Sequence, residues 1–194
     1  MLTQEQLGSY LAAADKRGLL PMFFLELTTG LRKGELVPLL WSDVDTNNMT
    51  ISISKQAYRA KGALTVQPPK TDNSMRRIAL SAETMELLKQ EHEKHPGNPY
   101  LFPSPVTGGM YHPDSVVKLH QKILKDAGLE HIRFHDLRHT FATLALQNGI
   151  DVKTVSSMLG YSSAGFTLAT YTHATNKVQE QAAAKMGNLL KRVL

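Results

Sequence analysis

Apolar residues recur along most of this chain at the three- and four-residue spacing of a helix, and in one stretch at the two-residue spacing of a strand. Thr3 with Gln6 makes a capping box, and Leu7, Tyr10, Leu11 and Ala14 supply the stripe of a first helix ended by Gly18. From Leu20 to about Thr29 the chain is apolar on most faces (Met22, Phe23, Phe24, Leu25, Leu27), which predicts a buried helix. Gly30 breaks it. Glu35, Leu36, Leu39 and Leu40 start another, with Arg32 at its beginning. Met49, Ile51 and Ile53 alternate with Thr50, Ser52 and Ser54, the pattern of a half-buried strand. After a turn at Ala60-Lys61-Gly62, Leu64 and Val66, with Ala63, form a second strand. Pro68 to Ser74 is a loop, and Arg76 to Leu80 a third strand. The expectation is one small three-stranded antiparallel sheet with Lys70 on its flexible tip.

Helices dominate the rest. Ser81 caps one that runs to about Lys94, with Met85, Leu87 and Leu88 inward. Pro96 to Gly109 is a long irregular connection, pinned to the core by Leu101, Phe102 and Tyr111. Pro113 to Ala127 is a helix closed by Gly128, and a further helix runs from His135 to Gly149. Asp151 caps the next, which Gly160 ends. A short helical segment from Ala164 to about His173 and a last helix from Val178 to the end complete the chain. The fold class is therefore mainly α with a small three-stranded antiparallel sheet, in one domain over residues 1–194.

Composition narrows the function classes more than the fold. The 194 residues carry 22 Lys and Arg against 17 acidic residues, a net charge of +5, which permits a nucleic-acid partner without proving one. The absence of Cys fits a reducing compartment and excludes disulfide and thiolate–zinc frameworks. No apolar run is long enough to span a membrane, and the polar start is not a signal peptide. A cytoplasmic location is expected.

The chemistry concentrates in His135-Asp136-Leu137-Arg138-His139. Residues 135, 138 and 139 stand at i, i+3 and i+4, so they are neighbours on one helical face. An arginine between two histidines repels a metal cation, and no Glu separates the pair as in a zinc helix. The same arrangement suits an oxyanion, above all a phosphate, because guanidinium offers a planar pair of donors. Arg32 opens a helix, where the backbone dipole already favours an anion. Glu35 reads as an orienting partner for a nearby basic group rather than a catalytic acid. Arg32, Lys70 and the His135–Arg138 pair lie on three separate segments, and Tyr161 and Tyr171 follow. Two arginines can clamp a phosphodiester. A tyrosine oxygen can attack phosphorus if a base such as His135 takes its proton, and Lys70 can protonate the leaving 5′ oxygen. With so many cationic donors the reaction needs no metal and no cofactor. Either tyrosine could also be a core aromatic with a satisfied hydroxyl.

Five segments together carry a family resemblance. They are Thr29-Gly30-Leu31-Arg32-Lys33-Gly34-Glu35-Leu36, Lys70 ahead of Arg76-Arg77-Ile78, Phe134 to Ala142 around the pentapeptide, Met158-Leu159-Gly160, and Thr170-Tyr171-Thr172-His173. In this order they resemble the catalytic domain of tyrosine recombinases, the phage and conjugative-transposon integrases. The resemblance implies a metal-independent enzyme that cleaves and rejoins DNA through a covalent 3′-phosphotyrosine, with a free 5′-hydroxyl and a four-way junction, to integrate or excise a mobile element. It implies double-stranded attachment-site DNA as partner and a homo-oligomer on it, a tetramer in the synaptic complex. Arg32 and Arg138 then match the phosphate clamp, Lys70 the general acid, His135 the general base and Tyr171 the nucleophile. His139 is left to hold the helix around the site. Tyr161 stands where the family usually has His or Trp. Its hydroxyl still offers one hydrogen bond to a phosphate oxygen, so reduced or retuned activity is expected. Full integrases carry DNA-clamping domains ahead of the catalytic one. This chain opens at the first catalytic helix, so weak and poorly specific DNA binding is expected. Two rival readings are a type IB topoisomerase-like nicking and closing activity and a non-catalytic DNA-binding module on the same fold.

Overall fold

A computed structural model describes residues 1–60, 63–69, 74–161, 163–165, 167, 171, 183, 186 and 191. Thr3 accepts from the Gln6 amide while the Gln6 side chain accepts from the Thr3 amide, and this capping box opens α1 (Gln4–Lys16). The apolar α2 (Leu20–Thr29) has Pro21 in its first turn, where the missing N–H costs nothing. Tyr10 from α1 and Phe23 from α2 are fully buried and meet edge to face, at 5.9 Å between ring centres.

The helix expected from Glu35 through Leu40 is a single turn, α3 (Lys33–Leu36), with Arg32 at its N-cap. Val37 still has helical backbone, but Pro38 has no N–H to continue the ladder, so the chain leaves through Leu39 and Leu40, and Leu40 bridges to Tyr100. A 3₁₀ turn (Trp41–Asp43) leads into the strands.

The sheet is small and antiparallel, but its strands pair differently from the sequence expectation. β1 (Val44–Asp45), β2 (Thr50–Ile53) and β5 (Arg76–Ala79) form the three-stranded sheet in that order, with Ile51 opposite Ile78. The strand expected at Ala63 to Val66 is β4 (Ala63–Gln67). It pairs instead with β3 (Gln56–Ala60) as a separate hairpin, with Ala57 opposite Val66. Closing this hairpin over two residues costs little chain entropy, so local pairing wins over addition to the distant sheet. Ile51, Ile53 and Ile78 are buried on the inner face, as the two-residue alternation requires. The hairpin tip at Lys61 and Gly62 and the loop carrying Lys70 lie outside the described residues.

Helices α4 (Ala82–Glu93), α5 (Pro113–Asp126), α6 (His135–Gln147) and α7 (Val152–Leu159) follow, capped by Ser81, His112 and Asp151 where a side-chain cap exists. Leu137, the central residue of the pentapeptide, is buried in the main core; Phe141, Ala142, Leu146, Val155 and Leu159 form a second cluster with Tyr171. None of the described helices is long and apolar enough to cross a membrane. The short segment from Ala164 to His173 is described only in part, and the helix expected from Val178 lies almost wholly outside the described residues.

Candidate active site

Two left-handed turns build the floor of the site. Gly30 ends α2 at φ 64° and Gly160 ends α7 at φ 67°, a conformation that glycine adopts without steric cost. The first turn is also crowded. A Cβ on Gly30 would lie 2.5 Å from Phe141 Cδ1 and 2.8 Å from Leu159 Cδ2. The freed carbonyls of these turns point at one side chain. Arg138, on α6, donates from Nη1 to Gly30 O at 2.7 Å and from Nη2 to Leu159 O at 2.6 Å. It is 1% exposed, so a guanidinium in the core locks the ends of two helices and still turns a face toward the site.

Arg32 arrives from the other side. Its amide donates to Glu35 Oε2 and its Nη1 to Glu35 Oε1, at 2.9 and 2.8 Å. The same carboxylate accepts from both Nη atoms of Arg76, at 3.1 and 3.0 Å. Arg76 also donates from Nε to Met158 O at 2.6 Å, which ties strand β5 to the end of α7. Glu35 is thus the hub that aims Arg32. Burial alone would raise its pKa, but Arg76 and Arg32 outweigh that and hold the carboxyl below its ordinary range.

The Tyr161 ring lies between Arg138 and Arg32. The Arg138 Cζ is 4.8 Å and the Arg32 Cζ 5.9 Å from its centre. Its hydroxyl lies close to the Arg138 guanidinium and to the Tyr171 hydroxyl. Tyr171 is buried, with its hydroxyl 2.8 Å from His139 Nδ1. Burial first, and Tyr161 second, push the Tyr171 phenol well above its ordinary pKa, so an adjacent base is required. The His139 ring in turn meets the exposed His135 ring edge to face, at 4.7 Å. Burial lowers the pKa of both imidazoles, and Arg138 adds to this in each case. Both are therefore mainly neutral near pH 7 and able to take a proton.

The structure thus brings together Arg32, His135, Arg138, Tyr161 and Tyr171 from the expected set. Lys70 lies outside the described residues; β4 and β5 flank it in the chain. One assignment shifts: the imidazole touching Tyr171 is that of His139, which the sequence reading had left to hold the helix.

Three further residues were missed. Arg76 stands two before Ile78, on the inward side of its strand, and an inward arginine signals a buried carboxylate partner. His120, fully buried, accepts from the Tyr10 hydroxyl at Nδ1 (2.8 Å) and donates from Nε2 to Ile132 O (3.0 Å), which anchors the approach to His135. Burial pushes its pKa down to about 4, so it stays neutral. Glu26, 0% exposed and under Arg138 on α2, has no hydrogen-bond partner for either carboxyl oxygen among the described residues.

Burial raises the pKa of Glu26 well above 4.5, only partly opposed by Arg138. A raised folded value means stability is intact below the unfolded pKa and is lost as pH rises toward the folded one. E26Q removes the proton exchange. Its stability relative to wild type should therefore rise with pH by up to about 1.4 kcal/mol per unit over the window above the ordinary glutamate pKa. Urea unfolding of both chains across that window checks this; parallel stability profiles would contradict it.

A helical domain that gathers two guanidiniums, two imidazoles and a buried phenol sets cationic donors for an oxyanion beside a hydroxyl. The comparisons give its family. Residues 1–177 match the phage integrase family, and the chain belongs to it. It is 29% identical over 210 residues to a tyrosine recombinase XerC-like protein of Caldanaerobacter subterraneus, covering 96% of this chain and 54% of that protein. It is 31% identical over 173 residues to the ICEBs1 integrase of Bacillus subtilis, covering 84% of this chain and 46% of the other. The chain thus spans about half the length of these curated relatives. Among solved structures, the Tn1549 transposon integrase bound to circular intermediate DNA superposes with a TM-score of 0.81 at 25% identity, over 97% of this chain and 66% of that one.

Proposed function

We propose that residues 1–194 form the catalytic domain of a site-specific DNA recombinase, cleaving and rejoining double-stranded DNA through a 3′-phosphotyrosine at Tyr171. The supporting observation is that the Arg138 and Arg32 guanidiniums meet at Tyr161 while the Tyr171 hydroxyl meets His139, whose ring contacts His135. In this reading the arginines hold the non-bridging oxygens and stabilise the pentavalent transition state. Tyr161 supplies a hydroxyl donor where relatives of this kind usually carry His or Trp. Lys70, carried between β4 and β5, protonates the leaving 5′ oxygen. His135, exposed beside the clamp, offers a donor to the phosphate. The partner is attachment-site DNA, engaged by a tetramer during strand exchange in the cytoplasm of a bacterium, and the outcome is integration or excision of a mobile element.

The test is a nicked suicide duplex from which the short 5′-hydroxyl product diffuses away. The wild-type chain should form a covalent protein–DNA band without added metal, and Y171F should form none. Adducts that persist in Y171F would reject Tyr171 as nucleophile. DNA binding without any adduct would favour a non-catalytic module.

A further inference from the structure

We propose that His139, not His135, is the group that takes the phenolic proton of Tyr171 when the DNA strand is cut. This rests on the cleavage reading above and deepens it.

The Tyr171 hydroxyl meets one imidazole, at 2.8 Å from His139 Nδ1. With its hydrogen on Nε2, the neutral ring presents Nδ1 as an acceptor for the phenolic proton. Among the described residues the His135 side chain makes no hydrogen bond, and its ring contact is with His139. His135 is exposed and His139 half-buried, so the first is open to a duplex and the second lies beneath it, against the phenol.

The step balances without a further reactant. The Tyr171 O–H bond breaks, and its proton passes to His139 Nδ1, leaving an imidazolium. The Tyr171 oxygen forms a bond to phosphorus, and the bond from phosphorus to the 5′ oxygen breaks. That oxygen takes a proton from the general acid, the role given to Lys70. Rejoining runs the same transfers backward, with the imidazolium returning the proton to the tyrosine.

The charges around His139 permit the transfer. Asp136 on its own helix favours the imidazolium; Arg133, Arg138 and the Met1 amino group oppose it. His135 and Tyr171 complete its surroundings. A bound phosphate would add negative charge beside it and favour the protonated form at the moment it is needed.

Adduct formation on the suicide duplex is measured under single-turnover conditions at saturating DNA, from acidic to mildly alkaline pH. The chains compared are wild type, H139N, H139A and H135N. Asparagine places an amide oxygen near the position of Nδ1, so it keeps an acceptor for Tyr171 but cannot take its proton. The expected result is that H139N loses about 10²-fold or more in rate, the range typical of a lost general base. It should also lose the rise of rate with pH that titration of an imidazole gives to wild type. H135N should be slower at every pH yet keep that rise. If H139N fails to fold, H139A decides the matter by the same profile. A rate and profile in H139N or H139A that match wild type overturn the proposal, as does a rise that vanishes in H135N and persists in H139N. A wild-type chain without any Tyr171 adduct overturns the cleavage reading itself and this inference with it.

Discussion

R138K lowers Tyr171–DNA adduct formation by about 10²–10³-fold, the usual cost of one preorganised oxyanion donor, and lowers folding stability by about 1–3 kcal/mol. The two losses share one cause. Arg138 spans two helix ends, from Gly30 O to Leu159 O, with both terminal nitrogens. A lysine ammonium is a single point and cannot bridge both carbonyls. At least one buried carbonyl is then left without its partner, which accounts for the stability term. The guanidinium that lies 4.8 Å from the Tyr161 ring centre, with its remaining N–H groups as donors to the proposed phosphate, is lost as well, which accounts for the rate. Urea unfolding reads the first effect. Adduct formation at a temperature where the variant is fully folded reads the second. A folded R138K chain cleaving within tenfold of wild type would show that Arg138 is only a structural brace.

E35A should cost more stability, about 3–5 kcal/mol, because it leaves a buried guanidinium without its counter-charge. The Glu35 side chain is 2% exposed and that of Arg76 5%, and they share a doubly hydrogen-bonded pair. Arg32, whose side chain is 36% exposed, retains access to solvent and loses only its aim. The double variant E35L/R76M separates the roles. Replacing both members of a buried pair with apolar groups of similar size restores much of the stability. It does not restore Arg32, so cleavage stays low. Recovery of both stability and cleavage in the double variant would refute the view that Glu35 positions Arg32. Acid acts in the same direction on wild type. The Glu35 carboxyl is held below its ordinary pKa, so its contribution is present above the unfolded value and lost as pH falls through the folded one.

Most of the described helices were legible because they carry their own period, and several their own caps. Thr3 with Gln6, Ser81 and Asp151 stop or start them where the chain says they should. The strand pairing was less so. β5 meets β2 across more than twenty intervening residues, and which segment fills the third place depends on hairpin closure elsewhere. Arg76 and Glu26 passed unnoticed, although an inward arginine in a strand and a lone carboxylate in an apolar helix are both signals of unusual burial.

Residue types and local periods were enough to reveal a helical domain with two arginines, a histidine pair and a late tyrosine, suited to a phosphodiester. They placed His135 and His139 on one face but left open which of them meets the phenol. That choice belongs to the folded chain alone. Tyr171 comes 32 residues after His139, and the packing of its ring with the α6 and α7 residues of the second cluster sets where its hydroxyl lands. Hydrogen bonding within a helix propagates over four residues, whereas a contact across the core is decided by how whole elements pack.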